Sequence, residues 1–188
     1  KNTSGVMVIA KTELAHVKLC ETFSNHDLDR RYNAIVWGQP KNSGIIEKPI
    51  GRSSFNRKKM AISHTGKMAI TKWKVIDIYA PLSSLIECKL ETGRTHQIRV
   101  HFSDFGHSII GDNLYGKSLS ENKIKDNSFK KKFQIIKSFN RQALHATKLS
   151  FNHPITKKYM EFHSPLPNDM YQLIEILKNK YYLLIANR

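Results

Sequence analysis

The chain has 188 residues, 40% of them hydrophobic, with 31 lysines and arginines against 15 aspartates and glutamates, a net charge of +16 and a pI near 9.9. That is enough for one domain with a sizeable core, and no apolar run approaches the roughly 20 residues a membrane span needs. The charge points to a polyanionic partner, nucleic acid before an anionic membrane surface, because phosphate contacts dominate such affinity.

Val6-Met7-Val8-Ile9-Ala10 is a short β-branched run and predicts a buried strand. Thr12 is placed to cap a helix over about 13–24, with Leu14, Val17 and Leu19 available for its buried side. Tyr32 to Trp37 predicts a second strand, closed by Gly38-Gln39-Pro40. An irregular stretch begins at Ile45-Ile46 and runs to Arg52, and Arg52, Arg57, Lys58 and Lys59 then form a basic loop. Two long strands follow, about 67–79 and 84–91. In the second, Ile86, Cys88 and Leu90 share one face and Glu87, Lys89 and Glu91 the other, the alternation of a half-buried strand.

A helix over about 95–105 fits Ile98, Phe102 and Phe105 on one side. Residues 117–140 are rich in Lys, Asn and Ser, with Phe129, Phe133 and Ile136 at helical spacing, and read as a basic helical insertion or mobile loop. Strands over about 143–151 and 158–163 flank the turn at His153-Pro154. Pro167 opens a last helix over 167–178, with Leu173, Ile176 and Leu177 as core candidates. The interleaving predicts an α+β fold: a mixed, largely antiparallel sheet with flanking helices.

Cys20 and Cys88 lie far apart in apolar surroundings and read as reduced core thiols of a cytoplasmic protein. The nine histidines show no metal-ligand spacing, so no metal is expected.

The chemistry concentrates in residues 90–101, where two arginines, two histidines and a glutamine follow Gly93 within eight residues. Gly93 permits a sharp turn. Arg94, Thr95, His96 and Gln97 crowd the start of a helix, where backbone N–H groups favour anions. A guanidinium at Arg99 can hold a carboxylate ionised or grip a phosphate by paired hydrogen bonds; the plainer reading is a solvated face with one structural ion pair. Tyr32 follows Arg30 and Arg31 and is either a base-stacking ring or an ordinary core tyrosine. The loop Arg52, Arg57, Lys58, Lys59 and the segment 123–137 are phosphate-contact candidates that carry no sequence-reading information.

Together these residues resemble the RluA-type family of pseudouridine synthases, over essentially the whole chain. Lys1-Asn2-Thr3-Ser4-Gly5 with Ala10-Lys11-Thr12 is similar to the tail of the family's Arg-Leu-Asp-x-x-Thr-x-Gly signature. Arg31-Tyr32-x-Ala34 resembles its tyrosine motif. Gly93-Arg94-Thr95-His96-Gln97-Ile98-Arg99-Val100-His101, Gly106-His107 and Gly111-Asp112-x-x-Tyr115-Gly116 resemble its third motif. Arg141-Gln142-Ala143-Leu144-His145-Ala146 with His153-Pro154 completes the set. Pro49-Ile50, Gly66-Lys67 and Pro165-Leu166-Pro167-x-Asp169-Met170 are similar to the branch acting on large-subunit ribosomal RNA.

The resemblance implies the family's catalytic fold and an isomerase that detaches uracil from C1′ of a uridine, turns it and rejoins it through C5, with no cofactor. It implies an essential aspartate, acting on the sugar carbon or on a sugar proton, kept ionised by an arginine. Arg99 is the first candidate for that pairing and Arg94 the second, and Tyr32 matches the tyrosine that stacks on the flipped base. Arg94, His96, Gln97, Arg52, Arg57, Lys58 and Lys59 are the expected RNA contacts.

The family aspartate falls immediately before Lys1, so residues 1–188 are expected to be the C-terminal portion of one catalytic domain, inactive by themselves. The expected partner is large-subunit ribosomal RNA, met by a cytoplasmic monomer. The alternative is a non-catalytic RNA-binding protein that keeps the fold. A membrane-surface protein has no basic amphipathic helix to support it.

Overall fold

The computed structural model describes residues 2–25, 27–118, 124 and 126–179. The elements run β1 (Ser4–Gly5), α1 (Glu13–Ser24), β2 (Leu28–Trp37), β3 (Ser43–Glu47), β4 (Ile50–Arg52), β5 (Met60–Ile62), β6 (Ile70–Tyr79), β7 (Ser83–Leu90), α2 (Gln97–Asp104), α3 (Asn127–Lys137), β8 (Leu144–Asn152), β9 (Tyr159–His163) and α4 (Asn168–Lys178). A seven-stranded sheet has the order β1-β8-β2-β7-β6-β3 with β9 also on β8, and β4 and β5 pair separately. Among these pairings β1–β8 is parallel and the others antiparallel. The chain therefore adopts the expected α+β architecture.

β2 is central, paired with β7 over Arg31–Trp37 and with β8 over Leu28–Ala34. Its last four residues, Ala34-Ile35-Val36-Trp37, are all buried, as an apolar run covered on both faces must be. Trp37 packs on Phe133 of α3 at 5.2 Å between rings, and Trp73 of β6 on Phe102 of α2 at 5.9 Å. On β7, Ile86, Cys88 and Leu90 are buried while Glu87 and Lys89 are half-exposed, which bears out the alternation.

The opposite edge of β8 is shared end to end. β9 takes Lys148 to Asn152, and β1 takes His145 and Ala146. Gly5 makes that approach possible: its φ is +112°, and a Cβ there would collide with the backbone of Ala146. Asn2 and Thr3 are tied down by Arg141 and Gln142, through Nη1 to the Asn2 carbonyl at 3.4 Å and Nε2 to Thr3 Oγ1 at 3.0 Å.

Several sequence expectations are corrected. Val6 to Ala10 is not a strand, and Met7 and Ile9 are 76% and 71% exposed, because the pairing with β8 ends at Gly5 and no second strand covers the run. α1 forms where expected, with Thr12 Oγ1 accepting from Ala15 N at 3.2 Å, but it buries no residue. Leu14 and Val17 are exposed and Leu19 is half-buried, since α1 lies outside the core. Cys20, on that helix, is exposed rather than a core thiol; Cys88 is buried, and both are free.

The stretch expected to be irregular from Ile45 to Arg52 holds the end of β3 and all of β4. Isolated β-prone pairs become strands once β6 and β5 supply the partners. Phe105, at the C-cap of α2, is 43% exposed, and on α4 Met170, Leu173, Ile174 and Leu177 are buried while Ile176 is half-buried. Within the basic segment, 127–137 is helical and inserts Phe133 and Ile136 into the core, so this part is not a loose loop; 119–123 and 125 lie outside the described residues.

Candidate active site

Tyr32 sits at an irregularity of the central strand. Arg31 faces Lys148 on β8, but Tyr32 faces Ala146, so Thr147 is the extra residue of a bulge. The Thr147 hydroxyl donates to the Arg31 carbonyl at 3.1 Å and fixes the step. Bulges re-aim side chains beside functional sites. Here the ring of Tyr32 lines a cavity of about 230 Å³. Burial raises the pKa of its phenol, and the Arg30 charge pulls it the other way.

The opposite wall is the turn into α2, built around Gln97. Its Oε1 accepts from Thr92 Oγ1 at 2.8 Å and Arg94 N at 2.9 Å, and its Nε2 donates to the Ile70 carbonyl and Thr71 Oγ1, both at 3.0 Å. Buried and fully engaged, Gln97 has no donor or acceptor left for RNA; it positions the turn. The network continues from Thr71 Oγ1 to His101 Nδ1 at 2.9 Å, and from His101 Nε2 to the Lys48 carbonyl at 3.1 Å. A carbonyl only accepts, so Nε2 carries a proton, and burial lowers the pKa of the ring.

His96 precedes α2 with φ at +59°, a left-handed conformation that costs a non-glycine residue on the order of 1 kcal/mol or more. Tyr115 holds it there, with 2.8 Å between His96 Nδ1 and the phenol oxygen, which also accepts from Met60 N at 2.8 Å. Burial, then the Arg99 charge, lowers the His96 pKa.

Arg99 is buried and clamped by Asp112, Nε to Oδ2 at 2.8 Å and Nη2 to Oδ1 at 2.7 Å. The Tyr115 ring lies 4.9 Å from its guanidinium carbon. Burial alone would raise the Asp112 pKa, but the guanidinium and the amides of Tyr115 and Leu114 outweigh it and the carboxyl lies below its ordinary value. The structural ion pair allowed by the sequence is therefore present. Arg99 still lines the cavity, and its Nη1 has no hydrogen-bond partner among the described residues.

The cavity brings together Thr3, Tyr32, Arg94, His96 and Arg99, five residues from three separate motifs. The basic loop stands apart, between β4 and β5. Arg52, Arg57 and Lys58 are exposed, Lys59 is half-buried, and Phe55 at the tip is fully exposed. The loop joins the cavity through Met60, Tyr115 and His96. Among the described residues, no group of three or more His, Cys, Asp or Glu is placed to hold a metal, and no helix is long and apolar enough to cross a membrane.

The roles of Asp112 and Tyr115 are not evident from sequence, although both lie in a family-like motif, because their partners Arg99 and His96 are 13 and 19 residues away. Arg30 is a further residue of the site region without a role evident from its motif. Its place two residues before Tyr32, on the same face of a strand, is a signal that was present.

The chain is similar to several known proteins. A family model described as RNA pseudouridylate synthase matches residues 1–104. Ribosomal large subunit pseudouridine synthase D of Zymomonas mobilis subsp. mobilis is 45% identical over 192 residues, covering 100% of this chain and 55% of that protein. The protein of the same name from Escherichia coli K12 is 38% identical over 178 residues, covering 95% and 53%. The chain thus spans about half the length of the curated relatives it matches. Human RNA Pseudouridylate Synthase Domain Containing 4 has the same fold, with a TM-score of 0.70 at 24% identity over 92% of this chain and 70% of that one. With the tyrosine wall, the turn into α2 and the buried Arg99 in one cavity, the chain belongs to the RNA pseudouridylate synthase family.

Proposed function

We propose that the cavity between Tyr32 and Arg99 receives a uridine that has left its helix, as part of an isomerase that makes pseudouridine in large-subunit ribosomal RNA. The observation that carries this is the convergence of Thr3, Tyr32 and Arg99 on one cavity of about 230 Å³. The ring of Tyr32 stacks on the extruded base. The family resemblance assigns the essential carboxylate to the position before Lys1, and Thr3 on the cavity wall supports that placement. Arg99, already oriented by Asp112, offers its Nη1 to that carboxylate and keeps it ionised. Arg94 and His96 line the same cavity, and Arg52, Arg57, Lys58 and Lys59 hold the flanking RNA. The names of the relatives support ribosomal RNA as the substrate.

In the reaction the N1–C1′ bond breaks, the base turns, C5 bonds to C1′, N1 takes up a proton and the C5 proton passes to solvent. No cofactor enters this balance. We place the protein in the cytoplasm as a monomer, in keeping with its two free thiols.

The test uses a polypeptide in which this chain follows the family's Arg-Leu-Asp segment, with a large-subunit transcript tritiated at C5 of uridine. Tritium release that stops in the Asp→Asn form is the expected result. No release from the aspartate-bearing protein overturns the enzymatic reading, and salt-sensitive RNA binding without release would establish the non-catalytic alternative.

A further inference from the structure

Beside the uridine cavity lies a cation with no counter-charge. Arg31 is paired with Asp29 at 3.0 Å and Glu87 at 3.3 Å, Arg99 with Asp112 at 2.7 Å, and Arg141 with Asp169 at 2.6 Å. Arg30 has no carboxylate within ion-pair distance among the described residues, and its buried Nε has no hydrogen-bond partner. An arginine cannot shed its proton to relieve this. Burial does lower its pKa, the direction expected of a desolvated charge without a neutralising neighbour.

The guanidinium is nevertheless held in place. It lies over the Phe23 ring, 5.5 Å from its centroid. Gly93 makes room for it, since a Cβ there would collide with Arg30 Nη1. Arg30 and Phe23 line two cavities. One, of about 200 Å³, contains Tyr32; the other, of about 300 Å³, is lined by Phe23, Ser24, Arg30, Gly93 and Arg94. Arg94 reaches it with its Nε tied to the Met68 carbonyl at 3.1 Å, and its Nη atoms have no partner among the described residues. Two guanidinium groups, one floored by an aromatic ring and neither neutralised, thus face one cleft beside Tyr32.

We propose that Arg30 and Arg94 form a clamp for one phosphodiester of the RNA strand, adjacent to the nucleotide whose base stacks on Tyr32. The chemistry is that of paired charge-assisted hydrogen bonds from guanidinium to phosphate oxygens. Arg94 lines both this cleft and the uridine cavity, so the clamp holds the nucleotide by its phosphate as well as its base. This inference rests on the RNA reading above.

The experiment measures binding of a fluorescein-labelled, uridine-containing single-stranded RNA by anisotropy over a range of salt. Arg30→Gln is expected to weaken binding about tenfold and to reduce the slope of log K against log salt by about 0.7, the value for one phosphate contact on a single strand. Arg30→Lys restores most of the slope, and Arg31→Gln leaves it unchanged because that charge is already neutralised by Asp29 and Glu87.

A wild-type slope in a folded Arg30→Gln overturns the clamp while the RNA reading stands. No binding by the unaltered chain overturns both. Should Arg30→Gln lower the melting temperature too far to be used, the unaltered chain is scanned with oligonucleotides carrying one neutral methylphosphonate linkage each. One linkage next to a uridine must then weaken binding by the same order, and a uniform profile overturns the clamp.

Discussion

Arg99 and Asp112 meet in a bidentate pair, 2.8 Å and 2.7 Å, closed on one side by the Tyr115 ring. One residue lies on α2, and the other is in the turn that follows Gly111. Asp112 Oδ1 also accepts from the amides of Leu114 and Tyr115 at 2.9 Å and 3.0 Å, so the carboxylate organises its own turn and the arginine together. The cavity-facing guanidinium is thus immobilised before any substrate arrives, which is what preorganisation of a charged site requires.

Removing one partner of that pair leaves the other charge buried and alone. Asp112→Ala is expected to destabilise the chain by about 3–5 kcal/mol, the range for breaking a buried ion pair. Urea unfolding followed by tryptophan fluorescence checks this. A loss below about 1 kcal/mol would show that water replaces the carboxylate without difficulty.

Tyr32 is expected to act through its ring. Tyr32→Ala should weaken binding of uridine-containing RNA about 5- to 150-fold, from the ~1–3 kcal/mol of a base–aromatic stack, while Tyr32→Phe should bind within about twofold of the unaltered chain. Equal losses in the two variants would assign the effect to the hydroxyl instead. Anisotropy titration at one fixed salt concentration distinguishes them.

Stability is expected to fall on mild acidification. His101 and His96 both have pKa values lowered by burial from 6.5, so the unfolded chain takes up protons that the folded chain refuses. Their contribution is complete above the unfolded value of 6.5 and is progressively lost as pH falls below it. The lowered carboxyls of Asp112, Asp169 and Glu91 act only at lower pH. Thermal melts at half-unit steps should show Tm declining as pH falls below 6.5, and less steeply in His101→Gln; a flat Tm there would contradict the lowered pKa of the two rings.

Gly93→Ala should fold and yet move Arg30. The new Cβ collides with the end of a flexible side chain, not with backbone. RNA affinity is expected to drop about two- to fivefold, the scale of one weakened exposed charge contact, with Tm unchanged. Unaltered affinity would mean that the guanidinium has another place from which to serve.

The two thiols should differ sharply. Cys20 is exposed on α1, whereas Cys88 is buried in β7 and burial pushes its thiol pKa far up. One thiol equivalent should react with a disulfide reagent at once and the second only with denaturant. Two fast equivalents would require the sheet to open readily at β7.

Much of this protein was legible in its residues alone. Thr12 as a cap, the alternation through Cys88, the buried run Ala34 to Trp37 and the helix after Gly93 all depend on neighbours close in sequence, where side-chain period and capping chemistry act directly. Tyr32 and Arg99 became site candidates through the motifs that resemble the family, since taken alone each also read as a structural residue. What only the tertiary structure decided was partnership. It buried Gln97 as a brace, left α1 uncovered, gave Arg99 to Asp112, and left Arg30 unneutralised while its neighbour Arg31 was paired. Each of those outcomes depends on which elements meet across the sheet; local periodicity fixes the face a residue takes, not the partner it finds there.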